Sequence, residues 1–165
     1  MSKYIISLLL LLIANSSFAA EEVHNDWVIN TDQSDYFYAA TVNNSGHVFG
    51  KYCYFDSEQC LYLVGIDITC TKGNEYPILI NSDPGASSQI LYCGDKVGNQ
   101  NVLVFNDFDK IDNLAKEGKT LGIAIPMESG KFKVSRFSLS GSTYSIQKMT
   151  AEAEKKLSTV DSEFL

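Results

Sequence analysis

The chain reads as a mainly β protein, an antiparallel β-sandwich with one short helix and a C-terminal amphipathic helix. Three observations predict this class. Between residues 27 and 125, short runs rich in Val, Ile, Tyr and Phe follow one another. Asn, Asp, Gly and Ser punctuate them at the places where turns need those residues. Helical spacing of apolar residues is confined to two late segments.

The first element is not part of the fold. Lys3 supplies a short positive region, residues 5–13 an apolar run broken only by Ser7, and Ser17-Phe18-Ala19 small residues suited to cleavage before Ala20. A signal peptide over 1–19 is expected, with a single disulfide-stabilised domain over 20–165 in the periplasm or secreted. The apolar run is shorter than the ~20 residues that cross a bilayer, so no stable membrane insertion is expected after cleavage.

Strands are predicted over 26–30, 36–42, 47–55, 60–70, 76–81, 88–93, 101–105, 120–125 and 131–138. Asn44-Ser45-Gly46, Lys72-Gly73-Asn74, Asp83-Pro84-Gly85 and Ser129-Gly130 supply turns between them. A helix is predicted over 109–117, where Ile111, Leu114 and Ala115 share a face, Asp107 or Asp109 can cap the start and Gly118 the end. After Gly141, Ile146, Met149, Ala153 and Leu157 recur at helical spacing among Glu and Lys. An outer-membrane barrel would need alternating strands of ~9–11 residues, longer than several runs here.

The four cysteines, Cys53, Cys60, Cys70 and Cys93, are expected to form two disulfides in an oxidising compartment. Three pairings exist. The local one, Cys53–Cys60 with Cys70–Cys93, is favoured because each bond closes a short segment. Loop-closure entropy gives the two about 2.5 and 3.5 kcal/mol. Their intervening lengths do not give the paired spacing of a zinc ribbon, so no metal is expected. In-register pairing of Cys53 with Cys60 sets Tyr54 against Gln59 and Phe55 against Glu58, with Asp56-Ser57 as the turn, although a bulged or longer loop also fits.

Thirteen basic and 20 acidic residues give a net charge of −7, which repels nucleic acid and favours a basic partner, if it does more than keep the chain soluble. Only His24 and His47 could serve as imidazole bases, and Ser138-Leu139-Ser140-Gly141-Ser142 lacks the first glycine of a nucleophile elbow. With the thiols paired, no catalytic residue and no cofactor are expected. Asp107, Asp109 and Asp112 cluster without the Gly and distal Glu of a calcium loop, and capping explains them. Asn43-Asn44-Ser45 is a glycosylation sequon if the source is eukaryotic.

Aromatic residues concentrate early: Tyr36, Phe37, Tyr38, Phe49, Tyr52, Tyr54, Phe55 and Tyr62. Alternation puts Tyr52 and Tyr54 on one strand face and Lys51, Cys53 and Phe55 on the other. Tyrosines are also common as cover for a half-buried sheet, but an exposed tyrosine face suits a protein or glycan partner. Tyr52, Tyr54 and Tyr62 are the ligand-binding candidates.

The chain resembles the invasion-associated locus B family of exported bacterial proteins. The likeness lies in Asp26-Trp27-Val28, the paired cysteines and the closing run. There, Ile111-Asp112-Asn113-Leu114-Ala115-Lys116-Glu117-Gly118 leads through two strands to Phe137-Ser138-Leu139-Ser140-Gly141-Ser142-Thr143-Tyr144-Ser145-Ile146. Ser142 stands where the family has an aromatic, Ile146 falls near its small residue, and the cysteine spacing differs. The resemblance implies a β-sandwich, export, and a role in colonising or surviving within host cells; it offers no catalytic residue. Three functions follow as expectations: a non-enzymatic binding or host-interaction module, a periplasmic inhibitor of a basic host enzyme such as lysozyme, and a carboxylate-dependent hydrolase.

Overall fold

The structure, a computed structural model, describes residues 21–97 and 100–162. The expected signal peptide lies outside them. The elements are β1 (Glu22–His24), β2 (Trp27–Asn30), β3 (Tyr36–Val42), β4 (Val48–Tyr54), β5 (Gln59–Ile66), β6 (Glu75–Ser82), β7 (Gly85–Val97), β8 (Gln100–Phe105), α1 (Phe108–Glu117), β9 (Thr120–Pro126), β10 (Phe132–Ser138) and α2 (Ser142–Ser162). The fold is mainly antiparallel β with a short helix and a C-terminal helix, the class that alternation and turn chemistry predict.

Among the described residues, ten strands belong to one sheet, in the order β1-β2-β3-β4-β5-β8-β7-β6-β9-β10. The layers of the sandwich are therefore the two halves of a single curled sheet, joined where β5 pairs with β8. Phe49 of β4 demonstrates the curl. Its ring lies 5.9 Å from Phe105 of β8 and 5.7 Å from Phe137 of β10, which belongs to the far edge strand. Trp27 stands edge-on to the same ring at 6.0 Å, and its indole N–H donates to the Ser138 carbonyl at 3.0 Å. Inward residues such as Phe37, Val64, Ile80, Leu103 and Ile123 fill one continuous core.

The helices cover this core at its open side. Asp107 caps α1 by accepting the Lys110 N–H, and the helix buries Ile111 and Ala115. In α2, Ile146, Met149 and Ala153 are buried, and the helix packs against β2, β3 and β4. Gly141 precedes it with φ 93°, and a Cβ there would collide with the His24 carbonyl, so only glycine fits.

The disulfides are Cys53–Cys60 and Cys70–Cys93, with Cα separations of 3.9 and 6.0 Å. The first joins directly opposed residues of the β4–β5 hairpin. That ladder stops at Tyr54–Gln59, so the two-residue Asp56-Ser57 turn is replaced by a four-residue turn over 55–58. Two contacts account for the change. Phe55 leaves the ladder to donate its N–H to the Asp35 carbonyl and pack edge-on to Phe37, and Glu58 closes the turn at φ 53°. Strand β5 ends at Ile66 rather than residue 70, because Ile68 N–H turns back to the Ile66 carbonyl. β7 is longer than predicted and shifts register between Cys93 and Lys96.

Candidate functional site

The β3–β4 register sets Tyr36 opposite Tyr54 and Tyr38 opposite Tyr52. With side chains alternating, these four rings share the outer face while Phe37 and Cys53 point into the core. Ring centroids are 5.4 Å apart in both cross-strand pairs, and Tyr38 stacks on Tyr52 at 21°. Tyr36 lies 6.2 Å from Tyr38 and 6.0 Å from Tyr52, so the four form one patch, each ring half-buried. Cross-strand pairs contribute roughly 0.2–1 kcal/mol each, little beside the burial of the core beneath them.

Burial raises the Tyr52 phenol well above the ordinary tyrosine value, with its tyrosine neighbours adding to the effect. Burial and a 2.7 Å hydrogen bond donated to Glu21 push Tyr38 up to about 12. Burial, then Tyr36, raises Tyr54. The three phenols are therefore neutral near pH 7 and keep their protons to donate.

Carboxylates surround this end of the sheet. Glu21 precedes β1, Asp32 and Asp35 lie on the β2–β3 loop, and Asp56 and Glu58 lie on the β4–β5 turn. Among the described residues none of these five is in an ion pair.

Tyr62, the third candidate, does not join the face. The β4–β5 register pairs it with Lys51, so it points inward and is fully buried. Its hydroxyl donates to Asp112 at 2.9 Å, and burial, then the Asp112 charge, raises its pKa. Asp112 also receives Lys116 at 2.5 Å and faces buried Lys51 at 3.5 Å. Burial pulls Asp112 upward, but the hydrogen bonds from Lys116 and Tyr62 and the Lys51 charge outweigh it and hold the carboxyl low. Burial lowers Lys51 despite that partner. The group anchors α1 to the inner sheet face. The three helix aspartates thus separate into a cap, Asp107, an exposed side chain, Asp109, and this buried anchor.

A second polar cluster was not legible in sequence because its members are far apart. His47 is buried, with Nδ1 2.9 Å from Ser135 Oγ and Nε2 2.8 Å from Asp67. Asn43 donates to the same Ser135 hydroxyl at 2.8 Å and to the Arg136 carbonyl at 3.1 Å, which occupies the amide of the sequon. Lys133 and then His47 hold exposed Asp67 below the ordinary carboxylate range. The residue types match a Ser-His-Asp triad, yet Ser135 is only 3% exposed and its hydroxyl is held from two sides. The cluster joins the β3–β4 turn to β10 beside a polar cleft of about 530 Å³ lined by Asn44, Ser45 and Arg136. His24 instead packs on Tyr144 at 4.4 Å, and the Ser142 hydroxyl donates to the Leu139 carbonyl.

Neither a family model nor a curated protein matches the sequence. Among solved structures, the chain is similar to the crystal structure of invasion associated protein B from Bartonella henselae. The likeness covers 81% of this chain and 97% of that one, with a TM-score of 0.56 and 15% identity. It is a likeness of fold. Among the described residues, no helix is long and apolar enough to cross a membrane.

Proposed function

We propose that this chain is an exported, non-catalytic binding protein that engages a protein or glycan partner through the outer face of β3 and β4. The observation that carries this reading is the patch of Tyr36, Tyr38, Tyr52 and Tyr54, four half-buried rings beside one another on the β3–β4 hairpin, whose second strand the Cys53–Cys60 bond ties to β5. Tyrosines of this kind supply contact area and hydrogen bonds at small entropic cost, and a disulfide reduces the ordering that binding must still impose. The two disulfides fit an oxidising compartment, and the fold likeness supports a host-facing role of the kind the neighbour's name denotes. The buried, doubly held Ser135 hydroxyl supports the non-catalytic part.

The test is a binding screen of the mature protein against envelope and host-surface proteins and glycans, run in parallel with a Tyr36→Ala/Tyr54→Ala variant of unchanged circular dichroism. A ligand lost in the variant is the expected result. A ligand retained at full affinity would move the binding function off this face.

A further inference from the structure

Building on that reading, we infer that the tyrosine face takes a cationic protein segment, one presenting arginine or lysine side chains. The distribution of charge argues for it. Residues 21–67 contain eight carboxylates and one lysine, a net −7 that equals the value for the whole chain. Residues 68–165 contain twelve carboxylates and eleven Lys or Arg, so they are nearly balanced. The one lysine of the first segment, Lys51, is turned inward and spent on Asp112. Glu22 and Asp67 are matched by Lys148 and Lys133. What remains is Asp26, which accepts from the Ser138 hydroxyl, and the set of five carboxylates without an ion pair at the loop end of the tyrosine patch. Lys156 of α2 is also present there but is held by the Gln33 and Ser34 carbonyls over the Phe37 and Phe55 rings.

The geometry makes this more than an acidic surface. Asp35 directly precedes Tyr36, Asp56 acts electrostatically on Tyr54, and Glu21 holds the Tyr38 hydroxyl at 2.7 Å. A guanidinium or ammonium over these rings gains cation–π attraction and a carboxylate within the same few ångströms. The field also steers a basic partner to this end of the sheet. An anionic glycan meets the opposite field.

The test titrates mature protein carrying isotope-labelled tyrosine rings with three separate probes: an oligo-arginine peptide, a neutral glucose oligosaccharide and heparin. The expected result is that oligo-arginine shifts the ring signals of Tyr36, Tyr38, Tyr52 and Tyr54, with affinity falling as salt rises. The isosteric E21Q/D35N/D56N variant should weaken this about fivefold or more, and a Tyr36→Leu/Tyr54→Leu variant that keeps every charge should weaken it as well. If the oligosaccharide or heparin moves the rings and oligo-arginine does not, the cationic inference is wrong while the binding face stands. If oligo-arginine binds with the rings unmoved, or equally well without them, its attachment is diffuse electrostatics and the inference fails. If no probe moves the rings, the cationic inference fails on its own terms, and the screen above decides the face.

Discussion

The two halves of the sheet share one core but present different exteriors. Outside β1 to β5 stand tyrosines, with unpaired carboxylates on the flanking loops, beside two exposed valines, Val23 and Val42. Outside β6, β7, β9 and β10 stand Leu79, Ile90, Tyr92, Phe132 and Val134, all exposed, among balanced charges. Inside, Phe49 touches Trp27 and Tyr62 of its own half and Phe105 and Phe137 of the other. The difference teaches that the interior fixes the architecture while the outward positions, free of that duty, carry the distinction between the halves. The following experiments test how far the comparison holds.

The largest effect belongs to the shared interior. Phe49→Ala should cost about 3–5 kcal/mol and leave one unfolding transition. Two separate transitions by calorimetry would show that the halves do not stand or fall together. Next comes the α1 anchor. Asp112→Ala removes the partner of buried Lys51 and should cost about 3–5 kcal/mol, whereas a Lys51→Met/Asp112→Leu double variant should recover most of that loss. Denaturant titration decides it; equal losses would mean that the charges matter less than α1 packing.

The disulfides divide the comparison more finely. Cys53→Ser/Cys60→Ser should lose about 2.5 kcal/mol and Cys70→Ser/Cys93→Ser about 3.5, because the second bond closes the longer loop. Only the first lies beneath the tyrosine hairpin, so only the first pair of substitutions should blur the ring signals of Tyr36 and Tyr54 in a spectrum of still-folded protein.

Alkaline titration tests the first half selectively. Tyr38, Tyr52, Tyr54 and Tyr62 have raised values, so above the ordinary value of about 10 the unfolded chain releases protons that the native state retains. Their contribution is complete below pH 10 and is lost as pH climbs through their native values. Lys51, lowered by burial, works oppositely: it favours the native state as pH rises toward 10.5. Four groups outweigh one, so stability should fall once pH exceeds about 10. Phenolate absorbance appearing together with unfolding is the expected record, and full ionisation of a native protein would contradict it. The smallest effect is expected at the surface, where Tyr36→Ala or Val134→Ser should change stability by about 0.5–1 kcal/mol or less.

What was legible in the sequence follows from the range of the forces involved. β3 falls on its predicted bounds and α1 within a residue of them, because alternation and capping are local. β1 went unseen, since three residues with one apolar member carry no period. The four-residue turn depended on Phe37 and Asp35 drawing Phe55 away, contacts from another strand and loop. The site shows the same division. Tyr52 and Tyr54 share a face by parity alone, and the favoured Cys53–Cys60 register, applied two residues along, would have sent Tyr62 inward with Lys51. The cross-strand partners Tyr36 and Tyr38 needed the β3–β4 register, and the His47 cluster needed the curl.

The strand order carries a consequence for the route of assembly. From β1 to β5, neighbours in space are neighbours in the chain, so this half can zip up hairpin by hairpin with short loops to close. The other half has two pairings between strands apart in the chain: β5 must wait for β8, beyond β6 and β7, and β6 must wait for β9, beyond β7, β8 and α1. A nascent chain emerging N-terminus first would therefore complete its tyrosine hairpin and first disulfide while the edge of β5 is still open. That edge is an unpaired strand edge of the growing chain, and pairing with β8 is the step that removes it.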